Sequence, residues 1–167
     1  RSGSVFSVGL MMVVIAGAEL FTGNCMMPIG YLAGCTPMGS ILRNWFWVYT
    51  SNFAGAITVA TLLVAAGLVT GPVGGKALSV AAGKMSLSFT QGLTRGILCN
   101  WMVTLAVWMT MASTDVTGKI WASFFPIMAF VASGFEHSVA NMYFLTLGML
   151  IRNDPSSIAA SGLTEHG

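Results

Sequence analysis

The chain has 167 residues, of which 55% are hydrophobic and only 7% charged, with a formal net charge of +2. A soluble domain carries about a quarter charged residues, so this balance describes a chain built for lipid. Nucleic-acid binding is set aside, because no Lys/Arg cluster and no interleaving of basic with aromatic residues appears.

No charge interrupts residues 2–18, 20–42, 44–75, 96–114, 120–135 or 138–151. Several of these runs match the ~20 residues a helix needs to cross a ~30 Å hydrocarbon core. A soluble helix of that length would show a polar face. The start "RSGSVFSVGL" resembles a signal peptide but runs on without an A-x-A cleavage pattern, so it is read as part of a long helix. The first membrane unit covers about 5–34 and contains Glu19 and "FTGNCMMPIG". The second, about 40–69, opens with "SILRNWFWVYTSN", where Arg43, Trp45, Trp47 and Tyr49 read as an interfacial anchor. A Gly-rich polar connection follows, carrying Lys76 and Lys84 and too long for a hairpin turn. The third unit runs over about 95–113, "STDVTGK" is the next turn, and the fourth covers about 119–151. The stretch 152–167 reads as a polar tail leaving the bilayer, so 1–167 is expected to be a single, all-α polytopic membrane domain. Cys25, Cys35 and Cys99 stand at unrelated spacings and are read as small apolar packing residues.

Units one and four are too long for simple spans. Residues 120–151 as one straight helix would reach roughly 48 Å at ~1.5 Å per residue, against a core of ~30 Å. Both units offer a polar, Gly-containing interruption near the middle, and the two interruptions resemble each other. "GAELFTGNCM" and "GFEHSVANMY" place Gly17, Glu19 and Asn24 against Gly134, Glu136 and Asn141 at a constant offset of 117. With two complete spans between them the units cross in opposite directions, so the repeat is inverted. Broken helices from inverted repeats are what secondary transporters and related channels use to hold a small solute. The polar residues are therefore expected on a substrate path.

At these residues the chain resembles the formate/nitrite transporter family of formate, nitrite and hydrosulfide channels. The pieces that carry the resemblance are "GAELFTGN", "RNWFWVYTSNFAGA", "RGILCNWMVTLAVWM" and "FPIMAFVASGFEHSVANMYFLTLGM". It implies an aquaporin-like inverted repeat with six spans and a homopentamer with one pore per protomer. On that plan this chain is a four-span part of the fold, from the second span to the fifth. It also implies a prokaryotic cytoplasmic (inner) membrane.

The resemblance assigns His137 as the central pore histidine and Thr22 as the hydroxyl facing it. An imidazole can give or take a proton near neutral pH, where Lys or Asp would need a large shift. Asn100 and Asn141 match positions that line or brace the path, and amides orient a small anion without charge. Lys84 matches a lysine near the pore entrance that would raise local anion concentration. Phe6, Leu10, Leu20, Phe21, Val103 and Phe130 fall on the apolar constrictions, which make passage of a bare ion costly and favour a dehydrated or neutralised species. Glu19 and Glu136 are read as structural, hydrogen-bonded to backbone donors at the helix breaks, since a bare carboxylate would repel the substrate. Lys76, Lys84 and Arg95 would place the 70–95 connection in the cytoplasm by charge count, whereas the family places it outside, and the family plan is followed.

The reading is a channel or secondary transporter for a small monovalent anion, formate first, then nitrite or hydrosulfide, coupled to protons. One alternative is an intramembrane enzyme using Glu136 and His137 as acid and base. It lacks a nucleophile motif and a metal-ligand set such as HExxH, and His166 is too far along the chain to assume partnership. The other is a non-transporting structural subunit. No metal or cofactor is expected.

Overall fold

The structure is a computed structural model that describes residues 2–163. His166 and the end of the tail lie outside the described residues. Among the described residues every regular element is helical. The helices are α1 (Ser2–Ala16), α2 (Phe21–Asn24), α3 (Pro28–Leu32), α4 (Met38–Ala65), α5 (Gly71–Met85), α6 (Phe89–Ala112), α7 (Val116–Ala132), α8 (Ser138–Ile151) and α9 (Pro155–Ser161).

By length and composition α4, with 28 residues, can cross a membrane alone. The bent pair Phe6–Ala16 and Phe21–Leu32, at 64°, passes the same test as one broken span. The described residues form two compact units. One contains the chain up to Thr50 together with Gly92–His137; the other contains Ser51–Gln91 and the described residues from Ser138 on.

The first unit is built on α1 against α7. Its core joins Leu10, Cys99, Val103, Ala106, Ile127 and Phe130, with Phe6, Leu20 and Phe135 packed on it. The repeat seen in three residue types is present in the backbone. α1 stops at Ala16 and Gly17 turns into the left-handed region at φ 72°, while α7 stops at Ala132 and Gly134 does so at φ 70°. Glycine makes that turn without the Cβ penalty, which is why helices commonly end on it. The closing bonds match as well: Ala18 N–H donates to the Val13 carbonyl at 3.0 Å, and Phe135 N–H to the Phe130 carbonyl at 3.3 Å. Each pair of equivalents is again 117 residues apart. The next helices start at Phe21 and Ser138, the same distance apart. The buried Ser7 hydroxyl donates to the Phe124 carbonyl at 3.2 Å, a contact between equivalent positions, as expected where repeat-related helices meet.

After its break the first repeat does not continue as one helix. α2 lasts four residues, and α3 restarts with Pro28 in its first turn, where a missing N–H costs nothing. α8, by contrast, runs for 14 residues.

In the second unit two regions outside the expected spans are helical. The Gly-rich connection contains a 15-residue helix, α5, and the polar tail contains α9. Two glycines of the connection, Gly74 and Gly75, are packing positions. A Cβ on Gly74 would collide with Ser157, and one on Gly75 would come within 2.6 Å of the Ala160 backbone. A Cβ on Gly148 would sit 2.6 Å from that of Ala81, so α8 also lies close on α5. The unit's core is Ala60, Val69, Leu78, Leu147 and Ile151, with Tyr143 and Ile158 against it. α9 opens on Asp154, whose carboxylate accepts the Ser157 N–H at 3.0 Å and the hydroxyls of Ser156 and Ser157. It closes on Gly162 at φ 70°.

Candidate functional site: a histidine at the meeting of two helix breaks

Both breaks in the first unit end on a polar side chain. Thr22 stands one residue inside α2, just past the first break, and His137 is the last residue of the second. The structure brings them together: Thr22 Oγ1 lies 3.1 Å from His137 Nε2, and which group donates depends on the imidazole tautomer. Thr22 is 4% exposed and His137 5%. They are 115 residues apart in sequence.

Two of the expected constriction residues enclose the imidazole. Phe130 lies nearly parallel to it, with centroids 6.0 Å apart and planes at 25°. Phe6 meets it edge-on at 5.8 Å and meets Phe130 at 5.3 Å and 90°. Leu10 and Val103 are buried in the same cluster, and Leu20 packs against it. Phe21 has another position, its ring 5.0 Å from that of Tyr49 and 6.3 Å from that of Trp45.

The first break is held from α4. The Glu19 carboxylate accepts from Asn24 Nδ2 at 2.7 Å and from Asn44 Nδ2 at 2.8 Å, and Asn24 Nδ2 also reaches Asn44 Oδ1 at 2.8 Å. Two side-chain amides thus help hold this glutamate. Trp45 Nε1 donates to the Asn24 carbonyl at 3.0 Å, so this aromatic of the supposed interfacial anchor also binds the break. At the second break the Glu136 N–H donates to the Arg95 carbonyl on α6 at 3.4 Å.

Asn100, on α6 in this unit, keeps its side-chain Oδ1 buried without a hydrogen-bond partner. Such an atom is an acceptor available to an O–H or N–H donor. In the second unit, Asn141 Oδ1 on α8 is in the same condition. Also there, Lys84 occupies the last turn of α5 rather than a loop, its ammonium 5.7 Å above the Phe144 ring. A cation suits that helix end, and the distance is that of a cation–π contact. Cys99 packs in the first unit's core, while Cys35 is exposed.

The first unit also contains a recess of about 320 Å³ that runs from the α1 break to the start of α7, lined by Leu10, Leu20, Asn24, Thr110 and Lys119 among others. Sequence reasoning passed over Asn44, Phe144 and Lys119. Asn44 had a weak signal, an amide in the aromatic run "RNWFW".

The family model for the formate/nitrite transporters matches residues 1–164. The chain belongs to the formate/nitrite transporter family. It is 49% identical to a protein of Methanothermobacter thermautotrophicus named "Probable formate transporter", over 89% of this chain and 61% of that protein. It is 44% identical to "Formate channel BtFdhC" of Bacillus thuringiensis, over 86% of this chain and 56% of that protein. The chain therefore spans about three-fifths of the length of the curated relatives it matches. A solved structure described as a pentameric formate channel with formate bound superimposes with a TM-score of 0.82 at 32% identity, covering 95% of this chain and 64% of that one. The all-α membrane fold expected from the sequence is the fold of this transporter family, and the chain covers part of it.

Proposed function

We propose that the protein containing this chain is a channel for a small monovalent anion, formate first, in a prokaryotic cytoplasmic membrane, assembled as a homopentamer. The observation that carries this reading is the buried Thr22–His137 pair enclosed by Phe6 and Phe130, at the point where two repeat-related breaks converge. The formate-related names of the relatives and the pentameric solved structure support substrate and assembly.

The chemistry follows from that enclosure. An anion leaving water for a ring of Phe6, Leu10, Leu20, Val103 and Phe130 loses its hydration, which costs several kcal/mol or more for a charge without a partner. A proton delivered at His137, from the imidazole or from water relayed to it, turns the carboxylate into its neutral acid and removes most of that cost. The neutral acid is a hydrogen-bond donor, and Asn100 Oδ1 is a buried acceptor suited to it. Beyond the ring the neutral acid gives its proton to water and leaves as the anion, and relayed water restores any proton the imidazole gave, so that one proton crosses with each anion. Lys84, Asn141 and Phe21 join this path through the resemblance. Glu19 and Glu136 hold the breaks. Membership of a transporter family weighs against an acid–base enzyme, and the site supplies no nucleophile motif.

The test is formate flux into liposomes containing the full-length protein. Wild type should conduct well above empty liposomes. His137→Ala should reduce flux by about tenfold or more, which corresponds to ~1.4 kcal/mol of barrier. His137→Asn, which keeps a partner for Thr22 but cannot shuttle a proton, should lose the pH dependence of flux. Wild-type flux at the level of empty liposomes would refute the channel. Turnover of a substrate without flux would restore the enzyme.

A further inference from the structure

We propose that Phe144 is a positioning residue for Lys84: the face of its ring carries the lysine ammonium at the seam between α5 and α8 and so fixes where that charge meets the anion path. This rests on the channel reading above, which brings Lys84 to the path by family resemblance, and adds the residue of this chain that holds it there.

Backbone packing sets the seam. On α5, Leu78 and Ala81 are buried, and Lys84 follows Ala81 at helical spacing, on the same face. On α8, Leu147 and Gly148 are buried, and Phe144 precedes them at helical spacing, again on one face. A Cβ on Gly148 would come within 2.6 Å of that of Ala81, so the two helices approach closely at this point. One turn on along α5 and one turn back along α8 lead from that approach to Lys84 and Phe144, and there the ammonium stands 5.7 Å above the ring centroid.

The ring is itself held. It meets the Tyr143 ring at 5.2 Å and 66°, and Tyr143 packs on the core of the second unit. Lys84 and Phe144 are both half-buried, whereas Lys76, on the same helix, is exposed. A partly dry ammonium gains more from an aromatic face than one in open water, because water competes less for it. The carbonyl end of α5 attracts the same charge but chooses no direction for so flexible a side chain. The negative face of the ring does choose one, and an aliphatic side chain of similar bulk supplies no such face.

The experiment grades the ring while nearly keeping its size. Phenylalanines with one, two and three ring fluorines are placed at position 144 of the full-length protein, because each fluorine weakens the negative face. The readouts are acylation of Lys84 by an amine-reactive reagent and formate flux into liposomes against formate concentration. An ammonium held on the ring must leave it before its nitrogen reacts. Acylation of Lys84 should therefore quicken step by step with fluorination and reach about 2- to 5-fold in Phe144→Leu, which is ~0.5–1 kcal/mol at ~1.4 kcal/mol per tenfold. Lys76 should react at one rate throughout. The apparent KM for formate should rise in the same order, with maximal flux nearly unchanged. Fluorinated variants that all acylate like wild type overturn the proposal even if Phe144→Leu is damaged, because a ring that only fills space is indifferent to fluorine. Acylation that follows the series while KM stays constant also overturns it, since the held charge then does not serve the path. If wild type fails to conduct formate, the channel reading falls, and the acylation series alone decides whether the ring holds the lysine.

Discussion

Thr22→Val tests the central contact most directly. The exchange replaces a hydroxyl by a methyl of similar size, so it opens no appreciable cavity and alters one interaction. That interaction is a 3.1 Å hydrogen bond between two side chains exposed by only 4% and 5%. Removing the hydroxyl leaves the imidazole Nε2 without it, and water cannot easily replace it at that burial. The cost of losing one partner at such a buried polar group is about 1–3 kcal/mol. Phe6 and Phe130 enclose the imidazole on two sides, so a rotation that found a new partner would first displace an aromatic ring. The measurement is denaturant unfolding of the purified full-length protein in detergent, followed by formate flux of the same preparation in liposomes. Thr22→Val should lose about 1–3 kcal/mol and a measurable part of its flux, whereas Thr22→Ser, which keeps the hydroxyl, should recover most of both. If Val equals wild type in stability and flux, the Thr22–His137 bond does not hold the site. If Ser is as damaged as Val, the γ-methyl contributes more than the hydroxyl and the argument from hydrogen bonding is wrong.

Gly134→Ala adds a Cβ that meets no atom within 4 Å, so its penalty is the left-handed backbone alone, about 1–2 kcal/mol. Gly83→Ala, equally free of contacts but inside α5, should be neutral or stabilising, and equal losses in the two variants would show that the backbone turn is not the cause. Hydrogen bonds from Ser157 and then Ser156 hold the Asp154 carboxyl below the usual carboxylate range. Because the folded pKa is depressed, the cap's contribution is complete above the unfolded value of about 3.9 and is lost as pH falls through the lower folded value. Proteolysis between α8 and α9 should therefore rise in that acid window for wild type, while Asp154→Asn should show no such rise.

What could be read from the sequence depended on scarcity. In a chain with 7% charged residues, a glutamate and an asparagine spaced alike after a glycine stand out, and the backbone repeats at that same offset. The break itself was legible because glycine in a left-handed turn is a local requirement, independent of neighbours. α5 was not. Its glycines lower helix propensity by about 1 kcal/mol each relative to alanine, and the presence of Gly74 and Gly75 is explained only by the close approach of Ser157 and Ala160. α9 carried its signals openly in "NDPSSIAASG", an N-cap, a first-turn proline and a terminal glycine, but polarity dominated the reading. Asn44 and Lys119 are single polar residues whose meaning comes from partners far along the chain, so no spacing rule could expose them.

The two breaks share a backbone device but not a way of being held, and the difference bears on how the site responds to change. Thr22 sits on a helix of four residues, too short to hold itself, since a nucleated turn gains little before propagation begins. Its position depends on side chains: Glu19 with Asn24 and Asn44, the Trp45 indole on the Asn24 carbonyl, and Phe21 against Trp45 and Tyr49. His137 leads directly into the 14 residues of α8, and the residue before it is tied to α6 by a backbone bond that no side-chain substitution removes. Substitutions on α4 should therefore displace the hydroxyl and leave the imidazole in place. Asn44→Leu is the sharpest case, because it removes one of the glutamate's amide partners and adds apolar bulk. It should reproduce the flux defect of Thr22→Val, and combining the two should add little, since both act on one contact. A double variant whose losses simply add would mean that Asn44 acts elsewhere and that the hydroxyl is placed by some other part of the fold.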